Sequence, residues 1–269
     1  MFDIKLEQNP ENEMRVFYEV CPLCSSNKIE KSHVGDCSKH PLYKNEISNK
    51  IQWMNCKNCN HQFVNGYFNE EGLSLIFSNT HDNQKVGFQI EQQRKISSEI
   101  VEKVLPYKCF GNWLDVGFGN GSLLFTAQEY GFKTVGVDLR KDNVDIMKNI
   151  GFEVYCDLVE NINFLKMFDV VSLMDILEHV PFPKKTLKTI FHIMKKDACL
   201  IMSMPNSETI IWDLMNEKKQ NPYLNELEHY HNFSKTTIYR LLNECGIKPI
   251  KYGISKRYRA CMEIIGLKI

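Results

Sequence analysis

The stretch 112-NWLDVGFGNGSLLFTAQEYGFKTVGVDLR-140 decides the fold. Trp113–Val116 read as a short apolar strand and Gly117, Gly119 and Gly121 as a sharp turn. Leu123, Leu124 and Ala127 then form the inner face of a helix, and Val135-Gly136-Val137 a second strand that ends on Asp138. Strand, glycine-rich turn, helix and acid-tipped strand make one half of a nucleotide-binding parallel sheet. An acid at that strand tip accepts hydrogen bonds from the ribose hydroxyls of a cofactor lying across the strand ends. A dinucleotide turn is written GxGxxG. Here the third glycine comes one residue earlier, Asp115 precedes the first, and Ser122 stands where the dinucleotide form needs glycine or alanine, so the pattern is DxGxGxG.

On these residues the sequence resembles the class I S-adenosylmethionine-dependent methyltransferases, and the resemblance continues in order over residues 90–269. The segment 168-FDVVSLMDILEHV-180 looks like that family's fourth strand and following loop, and 199-CLIMSMPN-206 like its fifth strand. A helix near 234–245, then 247-IKPIKYGI-254 and 259-RACMEII-265, look like its closing antiparallel hairpin. Four motifs in the right order are far more specific than one glycine pattern. The resemblance implies an α/β fold with a Rossmann-like, seven-stranded, mostly parallel sheet and S-adenosylmethionine as cofactor. It places Asp115, Gly117, Gly119 and Gly121 beside the methionine part, Asp138 and Leu139 at the ribose, Asp157 and Leu158 at the adenine, and Met174 against the adenosine. Gly131 and Gly151 read as plain helix stops, and Asp169 and Asp175 as strand-end caps.

Ahead of this domain, Cys21-Pro-Leu-Cys24 and Cys56-Lys-Asn-Cys59 are two CxxC knuckles. Each turn brings two sulfurs to one metal, and the loop-like stretch between them is long enough to close a four-thiolate tetrahedron, a zinc pattern. Neither pair opens a helix that follows a strand, which disfavours a redox dithiol. His33, Cys37, His40 and His61 lie near enough in sequence to replace a ligand. Four thiolates leave no open position, so the zinc is expected to be structural. After the second knuckle, 61-HQFVNGYF-68 alternates as a short strand would. Ile90, Ile96, Ile100, Val101 and Val104 then mark an amphipathic helix that ends at Pro106. This divides the chain into a zinc-binding, zinc-ribbon-like module over 1–85 and a methyltransferase domain over 86–269. The single cysteines Cys109, Cys156, Cys199, Cys245 and Cys261 sit among apolar neighbours and are expected in the core.

Composition excludes several classes. Thirty-three basic and 33 acidic side chains cancel, leaving no global field for nucleic acid or anionic lipid. The opening MFDIKLEQNPENE is polar and acidic where a signal peptide is basic and then apolar, and no run is long enough to cross a bilayer, so a cytoplasmic protein is expected.

Methyl transfer to a hydroxyl needs a base, and histidine suits that task near neutral pH. His179 follows the fourth strand, while His229 and His231 lie in 227-LEHYHNFS-234, the end of an insertion over about 206–233 that is the expected substrate cover. His231, His229 and His179 are the catalytic candidates, with Trp212, Pro222 and Tyr223 as further contacts for a sugar or other polar acceptor. The structural alternative makes 227–234 the entry to a helix capped by Ser234 and stapled by Phe233. The zinc knuckles resemble those of bacterial sugar methyltransferases that act on nucleotide-linked deoxysugars. Those proteins carry a further carboxy-terminal domain, and this chain stops after the hairpin. The resemblance therefore points to oxygen or nitrogen methylation of a nucleotide-linked sugar or phosphorylated precursor for surface polysaccharide. Two other readings are a zinc-containing rRNA or tRNA methyltransferase and an inactive zinc-ribbon interaction protein. Neutral charge and the absence of an Asn-Pro-Pro-Tyr-type tetrad, with MDILEH in its place, weigh against RNA.

Overall fold

The computed structural model describes residues 14–77, 80, 82–258 and 260–269. The amino-terminal part contains β1 (Arg15–Val16), β2 (Ile29–Asp36), β3 (Lys50–Cys56), β4 (Gln62–Val64), β5 (Tyr67–Phe68) and α1 (Glu70–Ile76). The alternating units follow: α2 (Ile90–Val104), β6 (Asn112–Val116), α3 (Ser122–Glu129), β7 (Lys133–Val137), α4 (Lys141–Asn149), β8 (Glu153–Tyr155), β9 (Phe168–Met174), α5 (Pro183–Ile193) and β10 (Met194–Pro205). The chain closes with α6 (Ile210–Glu217), β11 (His231–Asn232), α7 (Lys235–Glu244), β12 (Ile247–Ile254) and β13 (Cys261–Lys268).

The larger sheet has seven strands in the order β12-β13-β10-β9-β6-β7-β8. Its inner strands pair in parallel, and β13 runs antiparallel to both β10 and β12. Strands covered on both faces are buried along their length, and β6, β9 and the 198–205 part of β10 are buried at nearly every position. Trp113, Val170, Cys199 and Ile201 pack under α2 and α3 through Ile100, Val101, Val104, Leu123 and Ala127. Alternate residues of the same strands, Leu114, Leu173, Leu200 and Met202, meet α5 and α7 through Leu187, Ile190, Ile238 and Leu241. The winding direction reverses between β6 and β9, and ligands of open α/β sheets bind at that switch point, outside the carboxyl ends of the strands.

A second sheet, ordered β11-β4-β3-β2, crosses the boundary that the sequence suggests at residue 85. β11 comes from the far end of the 206–233 segment and pairs antiparallel with β4, His231 opposite Phe63 and Asn232 opposite Gln62. Trp212, Leu224, Leu227 and Tyr230 of that segment share a buried cluster with Ile51, Trp53, Val64 and Phe68. The Trp53 indole donates to Leu224 O (2.9 Å), and the Asp36 N–H donates to Asn225 Oδ1 (2.9 Å). Through Cys21, Met54 and Phe63 the amino-terminal part also joins the core of the α5–α7 face. The insertion is therefore packed into the knuckle-bearing part rather than hanging free over the sheet.

Other expectations meet the structure as follows. α2 stops at Val104, before Pro106. Gly131 and Gly151, both at φ 93°, end α3 and α4 by donating to Gln128 O and Lys148 O. Ser234 caps α7 by accepting from Thr237 N, and Phe233 and Ile238 lie in one buried cluster as a staple pair. Asp169 accepts from Asn112 N (2.8 Å) at a strand end. The core expectation holds for Cys199, Cys245 and Cys261 but fails for Cys109 and Cys156, which are exposed. Cys109 sits in the loop between α2 and β6 and Cys156 directly after β8, both outside the regular elements. No helix of the described residues is long and apolar enough to cross a membrane.

Candidate functional site

The cofactor crevice opens at the carboxyl ends of β6 and β7. Gly117 has φ 72°, a left-handed conformation that strains any other residue, and a Cβ there would lie 2.0 Å from Ile176 Cδ1, so that side chain would have to move. Gly119, at φ 52°, donates its N–H to Asp138 Oδ2 (2.9 Å), and Arg140 N–H donates to Asp138 Oδ1 (2.8 Å). The carboxylate is thereby aimed, with lone pairs left for ribose hydroxyls. Asp115 is 3% exposed and accepts from Ser172 Oγ (2.6 Å), which in turn accepts from the Trp113 indole (2.9 Å). Burial pushes the Asp115 carboxyl up to about 7, against the lowering effect of the Ser172 hydroxyl. Leu139 and Leu158 are exposed apolar side chains at the tips after β7 and β8, where an adenine ring needs apolar cover. Asp157 is exposed, and its Oδ1 caps Leu158 N (2.7 Å) and holds Asn161 Nδ2 (2.8 Å). Met174 is packed with Trp113 and Leu123, which leaves it little surface for a ligand. Turn, acid and apolar tips together fit a nucleoside cofactor.

Sequence reasoning did not single out two supports of this crevice. Asn143 Nδ2 donates to Gln84 O (2.8 Å) and Gly119 O (2.9 Å), and Gly87 N donates to Asn120 O (3.1 Å), so the chain before α2 is pinned over the glycine turn. Arg140 lies 3.5 Å from Asp138 Oδ1 and 3.8 Å from Glu228 Oε1, with its guanidinium 5.0 Å over the Phe77 ring. It links the ribose acid to the 206–233 segment. Its position directly after the VDL strand end was the available signal.

The two knuckles meet as expected. Cys21, Cys24, Cys56 and Cys59 place all four sulfurs within 4.8 Å of one another, with Cys21–Cys59 at 3.7 Å and Cys24–Cys56 at 3.5 Å. A tetrahedron with Zn–S bonds of about 2.3 Å has S···S edges of about 3.8 Å, so the set fits zinc. Each knuckle closes the same way: Ser25 N donates to Cys21 O and Asn60 N to Cys56 O, with Ser25 and Asn60 in the left-handed region. None of the four alternative ligands joins the tetrad. His33 is exposed, Cys37 donates to Ser48 O, His40 pairs with Glu226 (2.8 Å), and His61 turns to His231.

The three catalytic candidates separate sharply. His231 is 0% exposed, with Nε2 donating to Val180 O (2.9 Å) and Nδ1 3.0 Å from His61 Nε2. Because a carbonyl only accepts, Nε2 carries the proton and Nδ1 accepts from His61, so no lone pair is left for a substrate. Burial lowers His231 to about 3. His229 is buried, its Nδ1 has no partner, and burial followed by neighbouring His179 holds it well below the usual range. His179 is half-buried, lies edge-on to His229 (centroids 4.6 Å) and donates Nδ1–H to Glu228 O (3.1 Å). That bond leaves the Nε2 lone pair of a neutral ring free.

Around His179 stand two acids, Asp175 half-buried and Glu178 buried. Asp175, at φ 57°, accepts from Ser203 Oγ (2.7 Å) and lies 3.6 Å from Arg257. Glu178 is 1% exposed, and burial, with Asp175 nearby, raises it well above the usual carboxylate range. Asp175 Oδ2, Glu178 Oε2 and His229 Nδ1 make no hydrogen bond. Asp175 Oδ2 faces Arg257 at ion-pair distance; buried polar atoms are rarely left unpaired, so the other two, on the adjoining side chains of Glu178 and His229, mark a place for a polar guest. Glu178, His179 and His229 also bring their ligand atoms within 4.8 Å of one another, a spacing that can hold a divalent cation. Glu178 was legible in the sequence as His179's neighbour. Its burial was not.

Comparison with known proteins gives this geometry a family. A model of the methyltransferase domain matches residues 88–252, more than half of the chain. A ubiquinone biosynthesis O-methyltransferase of Coxiella burnetii is 30% identical over 100 residues, covering 35% of this chain and 43% of that protein. The chain thus matches less than half the length of such relatives. Two solved structures share the fold: an S-adenosylmethionine-dependent methyltransferase from Archaeoglobus fulgidus (TM-score 0.53, 20% identity, 65% of this chain and 94% of the other) and the magnesium protoporphyrin IX methyltransferase of Synechocystis PCC 6803 with bound SAH (TM-score 0.52, 17% identity, 66% and 84%). With the DxGxGxG turn, the acid-tipped β7 and the β12–β13 hairpin in place, the chain belongs to the methyltransferase-domain family and is a class I S-adenosylmethionine-dependent methyltransferase.

Proposed function

We propose that this enzyme transfers the methyl group of S-adenosylmethionine to a hydroxyl of a small polar acceptor, a nucleotide-linked sugar or phosphorylated precursor of surface polysaccharide. The acceptor sits between the ends of β9 and β10 and the 206–233 segment. The cofactor supplies an electrophilic methyl on a sulfonium, and the protein aligns the acceptor oxygen and excludes water from it. Asp138 and the glycine turn hold the nucleoside and methionine parts, with Leu139 and Leu158 at the adenine.

His179 is the base in this reading, and one observation carries it: of the three histidines, it alone combines a fixed tautomer, a free Nε2 and partial exposure beside unpaired buried polar atoms. Asp175 and Glu178 position the acceptor's polar groups, and Arg257 beside Asp175 is placed for an anionic substituent. His231 is a brace. The similarity to the ubiquinone biosynthesis O-methyltransferase of Coxiella burnetii supports oxygen as the nucleophile. The zinc is structural and holds β4, to which the cover is paired.

The experiment is a screen of nucleotide sugars and phosphorylated sugars, read by formation of S-adenosylhomocysteine, repeated with His179→Gln and with and without added Mg²⁺ or Mn²⁺. Turnover that falls about a hundredfold in His179→Gln and needs no added metal supports the base. Turnover that needs the metal reassigns His179 as a ligand beside Glu178 and His229. No product from any compound overturns the acceptor class.

A further inference from the structure

A groove of about 540 Å³ runs between the knuckle-side sheet and α6, within the size range of small-ligand sites. Asn55, Asn60, Gln62, Trp212, Asp213 and Asn216 line it. Its side-chain amides are oriented from behind. Gln62 Nε2 donates to Asn55 Oδ1 (3.4 Å), Asn232 Nδ2 to Gln62 Oε1 (2.8 Å), and Asn221 Nδ2 to Asn216 Oδ1 (2.8 Å). The two amides that end these chains, Asn232 and Asn221, are 1% and 4% exposed, so the core fixes the orientation. With their oxygens taken, Asn55 and Asn216 present NH₂ groups, two donors each, towards the groove.

Trp212 adds a buried indole to the lining and Asp213 an exposed carboxylate, which forms no ion pair among the described residues. The Trp212 ring stacks on Tyr223 (5.6 Å), which stacks in turn on His229 (6.2 Å). Glu30 and Lys57, the other charged groups in the lining, neutralise each other at 2.7 Å. Fixed donors with one acceptor and almost no net charge suit a neutral guest whose groups both donate and accept. Hydroxyls do this; an anion would meet the Asp213 carboxylate unfavourably, and a nucleobase would find Trp212 already stacked on Tyr223.

We infer that this groove is a saccharide-binding subsite, separate from the cofactor crevice and joined to the His179 centre by the Trp212–Tyr223–His229 stack. It rests on the sugar-acceptor reading in one respect: a second ring of a longer acceptor would occupy it. Its hydrogen-bonding chemistry stands independently.

The test is saturation-transfer NMR and titration calorimetry with neutral mono- and disaccharides, namely glucose, N-acetylglucosamine, rhamnose and lactose. The proteins are the wild type, Asp213→Ala, Asn216→Ala and the double variant, with S-adenosylmethionine affinity as the control for folding. Asp213 and Asn216 are exposed, and because Asn216→Ala leaves the buried Asn221 amide without its acceptor, Tm is measured for each variant beside cofactor affinity. Expected is binding of at least one saccharide to the wild type, weakened about tenfold in the double variant, the loss of two hydrogen bonds, with cofactor affinity unchanged. No saccharide bound at millimolar concentration, or binding indifferent to the variants, overturns the subsite. Variant-sensitive binding of sugars that are never methylated keeps the subsite and sinks the sugar-acceptor reading. Sugars methylated with unchanged affinity in the variants do the reverse.

Discussion

His231 separates a catalytic from a structural reading of the two-histidine segment, and its replacement by alanine has a calculable effect. The ring is fully enclosed and bridges Val180 O and His61 Nε2. Alanine leaves both partners buried and unpaired, at about 1–3 kcal/mol each, and adds a ring-sized cavity, so the total is on the order of 4 kcal/mol. For a chain of this length that lowers Tm by roughly 10 °C. Acid gives a second readout. The folded value of about 3 lies below the ordinary histidine value of about 6.5, so below pH 6.5 the unfolded chain binds the proton more readily. Stability from this group is complete above about pH 6.5 and declines as pH falls towards 3, with about 2 kcal/mol already lost at pH 5. His231→Gln removes this ring's share of that slope, while His61 and His229, also held low by burial, keep theirs, and the new amide can keep part of the bridge. The assay is thermal unfolding from pH 4.5 to 7.5, with cofactor affinity at pH 7.5. Should His231→Ala melt within about 2 °C of the wild type while turnover falls a hundredfold, the brace assignment is wrong and the ring is a base after all.

Asp138→Ala should weaken S-adenosylmethionine binding by at least about tenfold in calorimetry and lower Tm by several degrees, because the buried carboxylate also holds the Gly119 and Arg140 N–H groups; Asp138→Asn, which keeps an acceptor, should lose affinity with a smaller change in Tm. Asp115→Asn should stabilise the cofactor-free protein in neutral solution. The folded value of about 7 lies above the free carboxyl value of about 3.9, so ionising Asp115 costs stability that accumulates as pH rises between them, on the order of 4 kcal/mol; an unchanged Tm at pH 8 would contradict this. Elemental analysis should find about one zinc per chain. Cys56→Ser should lose it and expose Trp53 and Trp212 to solvent, seen as a red-shifted fluorescence maximum, because β3 and β4 carry the cover.

The sequence alone determined the catalytic fold, because its signals are local. A glycine turn between two apolar strands, an acid at a strand tip and two CxxC knuckles each need only neighbouring residues to be recognised, and each forms where it was read. Chemistry that depends on distant pairing was not legible in this way. Nothing in LEHYHNFS says that His231–Asn232 adds a strand to β4, 167 residues away by number from Val64 to His231, and so seals one histidine while the other faces His179. An alternating segment puts His229 and His231 on the same side, but burial and hydrogen-bond partners come from whichever element packs there. His231 met His61 and a backbone carbonyl, whereas His179 met a carbonyl on one nitrogen and no hydrogen-bond partner among the described residues on the other. A base needs a free lone pair within reach of its substrate, and only the packing of the cover against the knuckle-bearing sheet decided which ring kept one.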